Sequence, residues 1–268
     1  MENKTIQLSV EKAVATLSLN RPEKLNAMNQ ALLIESTAAL TELDEREDIK
    51  VLIVTGTGRA FCSGADLSDP VNASSVSQPG IGRREKLEPF VLFGRLIRAI
   101  DSFSKPTIAA VNGIAVGAGL ALALACDIRL ASEGAIFSSI FVKRGLVPDC
   151  GTTYTLPRLI GTAKALELMW TGDSVDASHA ERLGLVNRVV PPKDLMKEAN
   201  ALATRLAESA SLSIELTKKL VYEGLKTANL SGQLMKEDYA QYVCRQSEDY
   251  QEGRRSFLEK RPPRYKGG

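Results

Sequence analysis

The segment VNGIAVGAGLALALACDIRLAS (111–132) joins several elements in one run. It continues an apolar strand that begins at TIAAVNG (107–113), turns through Gly117 and Gly119, and enters a nearly all-apolar helix. DIRLAS (127–132) and AIF (135–137) then read as short strands. The stretch from Ile114 to Cys126 is about a dozen residues. A bilayer needs about 20, so this stretch is expected as a buried helix. Strands and helices mixed in this way predict an α/β domain.

Upstream, VLIVTG (51–56) is a continuous apolar run of strand length, the pattern of a strand buried on both faces. IQLSV and AVATLSL alternate as half-buried strands do, with Glu11-Lys12 between them, and predict an N-terminal hairpin. Asn20-Arg21-Pro22 breaks the second strand. Leu32, Leu33, Ala39, Leu40 and Leu43 fall near helical spacing, so a helix is expected over 29–45. SDPVNASSVSQPGIG (68–82) is rich in Ser, Pro, Gly and Asn and reads as a mobile loop, a candidate lid, before a helix over 84–103. Downstream, GTTYTLPRLIG and ALELMWTG are expected helices. Asp176 is expected to cap the helix ASHAERLG, and LVNRVV is the last strand. Beyond Pro192 the chain reads as helix alone, over 193–208, 212–227, 231–246 and 249–260. The expected division is a core over 1–192 and a helical subdomain over 193–268.

The 268 residues are 44% hydrophobic and 25% charged, ordinary for a globular domain large enough to bury its own core. The 34 basic and 32 acidic residues leave a formal charge of +2, which argues against nucleic acid as a partner but allows a local basic patch. Cys62, Cys126, Cys150 and Cys244 form no CxxC pair, and one histidine is present, so no metal site is expected. MENKTIQLSV offers no apolar signal core. A cytoplasmic protein without membrane contact is therefore expected.

AFCSGADL (60–67) and VNGIAVGAGLALALACD (111–127) place small residues at what read as strand-to-helix junctions. The first amides of a helix have no partner inside it, and the helix dipole favours an anion there. Two such amides aimed at one point form an oxyanion hole. The same glycines serve as tight turns closing a packed core, and spacing alone favours that reading. VGAG is not the dinucleotide-binding GxGxxG pattern.

Taken in order, these motifs resemble the crotonase (enoyl-CoA hydratase/isomerase) superfamily. AFCSGADL is similar to its first oxyanion motif and VNGIAVGAGLALALACDIRLAS to its second. LNRPEKLNAM (19–28) is similar to its early CoA-binding segment, and GLVPDCGTTYTLPRLIG, LELMWTG and LGLVNRVV to later segments. The likeness runs from residue 5 to 263. It implies a ββα spiral core with an all-helical C-terminal subdomain and an acyl-CoA thioester substrate. Coenzyme A is then part of the substrate, and no separate cofactor is implied. A homotrimer, or a hexamer made of two trimers, is implied as well. By the same resemblance the amides of Ala65 and Ala118 hold the thioester oxygen. Lys24, Leu25, Ala27, Ser63, Asp66, Leu67, Gly117 and Phe141 fall on substrate or CoA positions. Phe257 and Lys260 resemble residues that cover CoA bound to a neighbouring subunit.

Hydratases of the superfamily use two glutamates, and those positions fall on Ala121 and Phe141, which cannot move a proton. GLVPDCG supplies Asp149 instead. This segment and EDYQEGRRSFLEKRPPRYKG (248–267) resemble the epoxyphenylacetyl-CoA isomerase group most. The resemblance implies an isomerase that moves a double bond from C3–C4 to C2–C3, or rearranges a ring-epoxide aromatic CoA ester. Asp149 would carry the proton. Leu146, Val147, Phe137 and Phe141 are expected to desolvate it. The other reading of Asp149 is an N-cap for the helix beginning near Gly151.

Two further functions stay open: an enoyl-CoA hydratase of fatty-acid β-oxidation, and an acyl-CoA-binding relative without turnover. Glu85 and Glu88 follow the loop and either reach a nearby site or line a solvated face. Asp66 serves either CoA or its own turn. Lys24, Lys260 and Arg261 are candidates for CoA phosphates, with solvated side chains as the alternative. His179 is expected to be exposed. Cys150 has no histidine near it in sequence to activate its thiol.

Overall fold

The computed structural model describes residues 5–69, 92–226 and 229–267. Strands β1 (Ile6–Glu11) and β2 (Val14–Leu19) form the expected hairpin. Helix α1 (Gln30–Glu45) follows, capped by Asn29, whose side chain accepts from the Leu32 amide at 3.0 Å. Next come β3 (Val51–Gly56), β4 (Ala60–Cys62), α2 (Leu92–Asp101), β5 (Thr107–Val111), β6 (Ile114–Val116), α3 (Ala118–Ala125), β7 (Ile128–Ser132) and β8 (Ile136–Ser138). After these lie α4 (Thr152–Ile160), α5 (Thr162–Thr171), β9 (Ser174–Asp176), α6 (Ala177–Leu183) and β10 (Arg188–Val190). The C-terminal part is helical: α7 (Leu195–Ala207), α8 (Ser211–Gly224), α9 (Leu230–Arg245) and α10 (Glu248–Glu259). The expected α/β class and helical C-terminus are both observed. Glu85, Glu88, most of the 68–82 loop and the start of the helix over 84–103 lie outside the described residues.

One sheet has the order β1-β2-β3-β5-β7-β10 and is antiparallel only at β1–β2. The other has the order β4-β6-β8-β9 and is antiparallel only at β8–β9. In β3, Val51 and Ile53 pack with Leu195, Ala199 and Ala203 of α7. Leu52 and Val54 join the larger cluster with Leu40 and Leu43 of α1. A strand covered on both faces has no polar side, which is why VLIVTG is unbroken apolar sequence. Helix α3 is buried along its whole length.

The chain changes sheets between β5 and β6. The sequence reading placed 114–116 at the head of the apolar helix. These residues are instead a strand paired with β4 and β8, and the helix starts at Ala118. Two β-branched residues, Ile114 and Val116, favour the pleat. The backbone at Gly113 also lies hard against the Arg59 carbonyl, where a Cβ would overlap it. AFCSGADL is described as far as its end: β4 runs into a turn, and the residues beyond Asp69, where the helix was expected, lie outside the described residues.

Candidate active site

Residues 21–28 fold back onto the turn after β4. Beyond a 3-10 turn at Pro22–Lys24, both Leu25 and Asn26 take left-handed backbone, with φ of 53° and 56°. Buried Asn26 holds this conformation. Its side-chain amide donates to the carbonyls of Thr57 (2.9 Å) and Ala60 (2.8 Å), and its oxygen accepts from the Arg21 amide (2.8 Å). The Arg21 guanidinium donates to the Ala27 carbonyl at 2.6 Å and to the Asp66 carboxylate at 2.9 Å. Met28 and Ala65 then form a parallel bridge. The Met28 amide donates to the Gly64 carbonyl at 2.7 Å, and the Asp66 amide donates to the Met28 carbonyl at 2.9 Å. The Ser63 amide donates to the Leu25 carbonyl at 3.0 Å. Lys24, Leu25, Ala27, Ser63, Asp66 and Leu67 are thereby gathered, with Lys24 and Leu67 exposed.

Sequence reasoning missed Arg21 and Asn26. The available signal was asparagine itself, which tolerates left-handed backbone better than most residues. Asp66 also serves its turn. Its second oxygen accepts from the Ser68 amide (3.0 Å) and hydroxyl (2.5 Å). The Ser68 hydroxyl, and after it Arg21, hold its carboxyl below the usual range against the effect of burial.

The second turn is in backbone contact with the first. A Cβ built on Gly64 would stand 3.5 Å from the Ala118 amide nitrogen and 2.8 Å from the Val116 carbonyl oxygen. Gly119, in the first turn of α3, backs onto Cys62 so closely that a Cβ would overlap the Cys62 carbonyl oxygen. Gly117 caps α3 at φ 57° and ψ −121°, a conformation that suits only glycine. Ala118 opens α3, so its amide has no partner inside the helix. Neither the Ala65 nor the Ala118 amide donates to a described residue. The two small-residue turns therefore meet, with one free amide on each.

Phe141 is buried, its ring 4.0 Å from where a Gly117 Cβ would lie, and Ala121 is buried one turn into α3. Asp149 stands in a turn closed by the Thr152 amide, which donates to the Asp149 carbonyl at 2.9 Å. Its carboxylate is exposed and does not cap α4, whose N-cap is Gly151 with no side-chain bond. Phe137 and Phe141 are buried as expected, but Leu146 and Val147 are 57% and 80% exposed. Those two do not shield Asp149. The left-handed Gly145 ends the 3-10 turn at Ile140–Arg144, and the chain beyond it runs on the surface. The Cys150 thiol packs against the large core cluster. Burial first, then the Asp149 carboxylate, pushes its pKa well up, and it also feels Cys62. Burial pushes the Cys62 thiol up to about 12. Both thiols stay protonated and neither is an activated nucleophile. His179 is exposed on α6, and its amide donates to the capping Asp176 at 2.7 Å.

The family model described as "Enoyl-CoA hydratase/isomerase" matches residues 9–268. The chain belongs to this family. This hydratase/isomerase family member is 38% identical to the 1,2-epoxyphenylacetyl-CoA isomerase of Escherichia coli K12, over 96% of this chain and 97% of that one. It is 36% identical to the crotonyl-CoA hydratase of Syntrophomonas wolfei, over 97% of each. The crystal structure of an enoyl-CoA hydratase from Bacillus anthracis matches it with a TM-score of 0.89 at 33% identity, covering 98% of this chain and 100% of that one.

The C-terminal positions of this family member fall into two groups. Arg261 donates twice to Glu252, at 2.6 and 2.9 Å, and once to Glu259 at 2.6 Å. Its guanidinium is engaged by these two carboxylates, whereas the sequence offered CoA phosphates or solvent as its surroundings. Phe257 is 83% exposed, and exposed Lys260 ends α10 in left-handed backbone. Among the described residues no helix is long and apolar enough to cross a membrane.

Proposed function

We propose that this chain is an acyl-CoA isomerase that works through a thioester enolate, with Asp149 as its proton carrier. Asp149 removes a proton from C2 of a 3-enoyl-CoA. The charge that develops on the thioester oxygen is held by the Ala65 and Ala118 amides, each worth about 3 kcal/mol in the transition state. The proton returns at C4, and the double bond moves from C3–C4 to C2–C3. One carboxylate suffices when both carbons face it. A ring epoxide conjugated to the CoA ester is a related substrate for the same groups. Lys24, Leu25, Ala27, Ser63, Asp66, Leu67, Gly117 and Phe141 contact the CoA ester. Phe257 and Lys260 cover CoA on a neighbouring subunit of a trimer or a pair of trimers.

The observation that carries this reading is the pairing of two unengaged amides on touching turns with buried, apolar Ala121 and Phe141. Neither of those two positions carries a carboxylate to help split a water. The epoxyphenylacetyl-CoA isomerase relative supports it, whereas the crotonyl-CoA hydratase relative favours water addition. Asp149→Asn is expected to lower turnover of a 3-enoyl-CoA by about 10²–10⁴-fold, the range for general acid–base catalysis. Crotonyl-CoA should be nearly untouched by the unaltered enzyme. Undiminished isomerisation in the variant, or rapid hydration of crotonyl-CoA, would defeat the isomerase reading.

A further inference from the structure

A cavity of about 140 Å³ lies between the C-terminal end of α3, α4 and the end of α8. It is about 12 Å along α3 from Ala118, so it is separate from the two touching turns. Leu124, Leu159, Leu225 and the ring of Tyr154 form an apolar wall, and the Arg158 guanidinium stacks on that ring at 3.6 Å. Arg129 of β7 also lines the cavity and is only 5% exposed. Two of its nitrogens are engaged: Nε donates to the Leu185 carbonyl at 2.9 Å and Nη1 to the Cys126 carbonyl at 2.5 Å. Among the described residues Nη2 has no hydrogen-bond partner, and no carboxylate lies within 4.0 Å of the guanidinium. A buried charge is ordinarily paired. Neighbouring Asp127 does not pair with it. That carboxylate accepts from the Tyr222 hydroxyl (2.8 Å) and from the amide and hydroxyl of Thr107 (2.7 and 2.9 Å), and it is neutralised by Lys218 at 2.8 Å. Arg129, Arg158 and Lys226 are then opposed in the lining by Asp101 alone, at the end of α2.

We propose that this cavity is a second binding site, for a short-chain carboxylate. The carboxylate accepts from Nη2 of Arg129 and faces Arg158 and Lys226, while its alkyl chain lies along Leu124, Leu159 and Leu225. Charge selects an anion, and the apolar wall selects one with a hydrocarbon tail over an inorganic ion. Volume sets the length: an apolar cavity of about 150 Å³ admits a molecule the size of benzene, which corresponds to about four to six carbons. The site is independent of the reading of Asp149, because none of its residues belongs to the two turns or to the segment that carries Asp149.

Hexanoate and its neutral counterpart hexan-1-ol are titrated into the full-length protein, with binding followed by ligand-observed NMR. Hexanoate is expected to bind with a Kd of about 1 mM or below, ordinary for a ligand of this size, and hexan-1-ol at least about tenfold more weakly. Arg129→Gln should weaken hexanoate by about tenfold or more, as for loss of one charge-assisted hydrogen bond. Because Arg129 also supports two carbonyls, Arg158→Glu combined with Lys226→Glu provides a second variant at exposed positions, and it too should weaken hexanoate while leaving hexan-1-ol unchanged. Leu225→Trp, which fills the cavity from its exposed side, should weaken both ligands. An excess of saturated hexanoyl-CoA should leave hexanoate bound. Displacement by hexanoyl-CoA would place the carboxylate in the candidate active site and overturn the inference. So would equal affinity for acid and alcohol, undiminished hexanoate binding in the double charge variant, or no binding of hexanoate at all. None of these outcomes bears on Asp149, whose role is read from turnover of a 3-enoyl-CoA.

Discussion

Asp66 is buried and bonded through both oxygens, to Ser68 and to Arg21. Its carboxyl is shifted down, so the folded state binds that proton less readily than the unfolded chain. The stability it confers is complete above the unfolded value of about 3.9 and is lost as pH falls through the lower folded value. Asp66→Asn should therefore melt below the parent by a constant margin from pH 8 to 5, and the margin should close on acidification below about pH 4. Scanning calorimetry across that range checks it; a margin that widened in acid would mean that Asp66 is held by something other than its charge. The anchor also explains what could be read at this scale. AFCSGADL was recognisable as a motif, yet Arg21 and Asn26, which lock it to residues 21–28, looked like ordinary polar residues beside a proline. Their partners are backbone carbonyls and a carboxylate 45 residues on, and no local pattern encodes such a pairing.

Helix α3 and strand β4 touch through bare backbone. A methyl group at residue 119 would meet the Cys62 carbonyl, which belongs to a strand paired in the second sheet and cannot rotate away. Gly119→Ala is expected to destabilise by about 1–3 kcal/mol, as overpacking in a filled interior does. It should also lower kcat more than it raises KM, because the Ala118 amide sits on the turn being displaced. Chemical denaturation with steady-state kinetics tests both; a stable variant of normal kcat would show that the two turns move independently. Periodicity located α1 and α7 to α10 to within a few residues, since each has an apolar stripe or a cap of its own. It failed at β6 and β9, three-residue strands whose pairing partners define them. It was also blind to Lys105. That lysine is buried and donates to the carbonyls of Leu43, Asp44 and Arg46 at 2.7–3.0 Å, capping the end of α1 from another part of the chain.

Across the whole molecule, what could be read was what repeats or alternates: the α/β core, the doubly buried β3 and the helical C-terminus. What could not be read was the surface left over once those parts had packed. Leu230, Leu234, Met235, Tyr239 and Tyr242 of α9 are each at least half exposed, as are Phe257 and Leu258 of α10. So many large apolar side chains on adjoining helices exceed the scattered exposure usual for a monomer. The proposed assembly places this surface between subunits. Light scattering on the unaltered protein should then give three or six times the 29.0 kDa chain mass. Leu234→Glu combined with Tyr239→Glu introduces charges that such a contact cannot solvate, and should yield single chains at micromolar concentration. If Phe257 and Lys260 of a neighbour cover the CoA, those single chains should bind acyl-CoA about tenfold or more weakly, a loss of at least about 1.4 kcal/mol. A parent protein that runs as one chain would leave α9 without the role proposed for it. Dissociated chains of unchanged affinity would show that each subunit completes its own site.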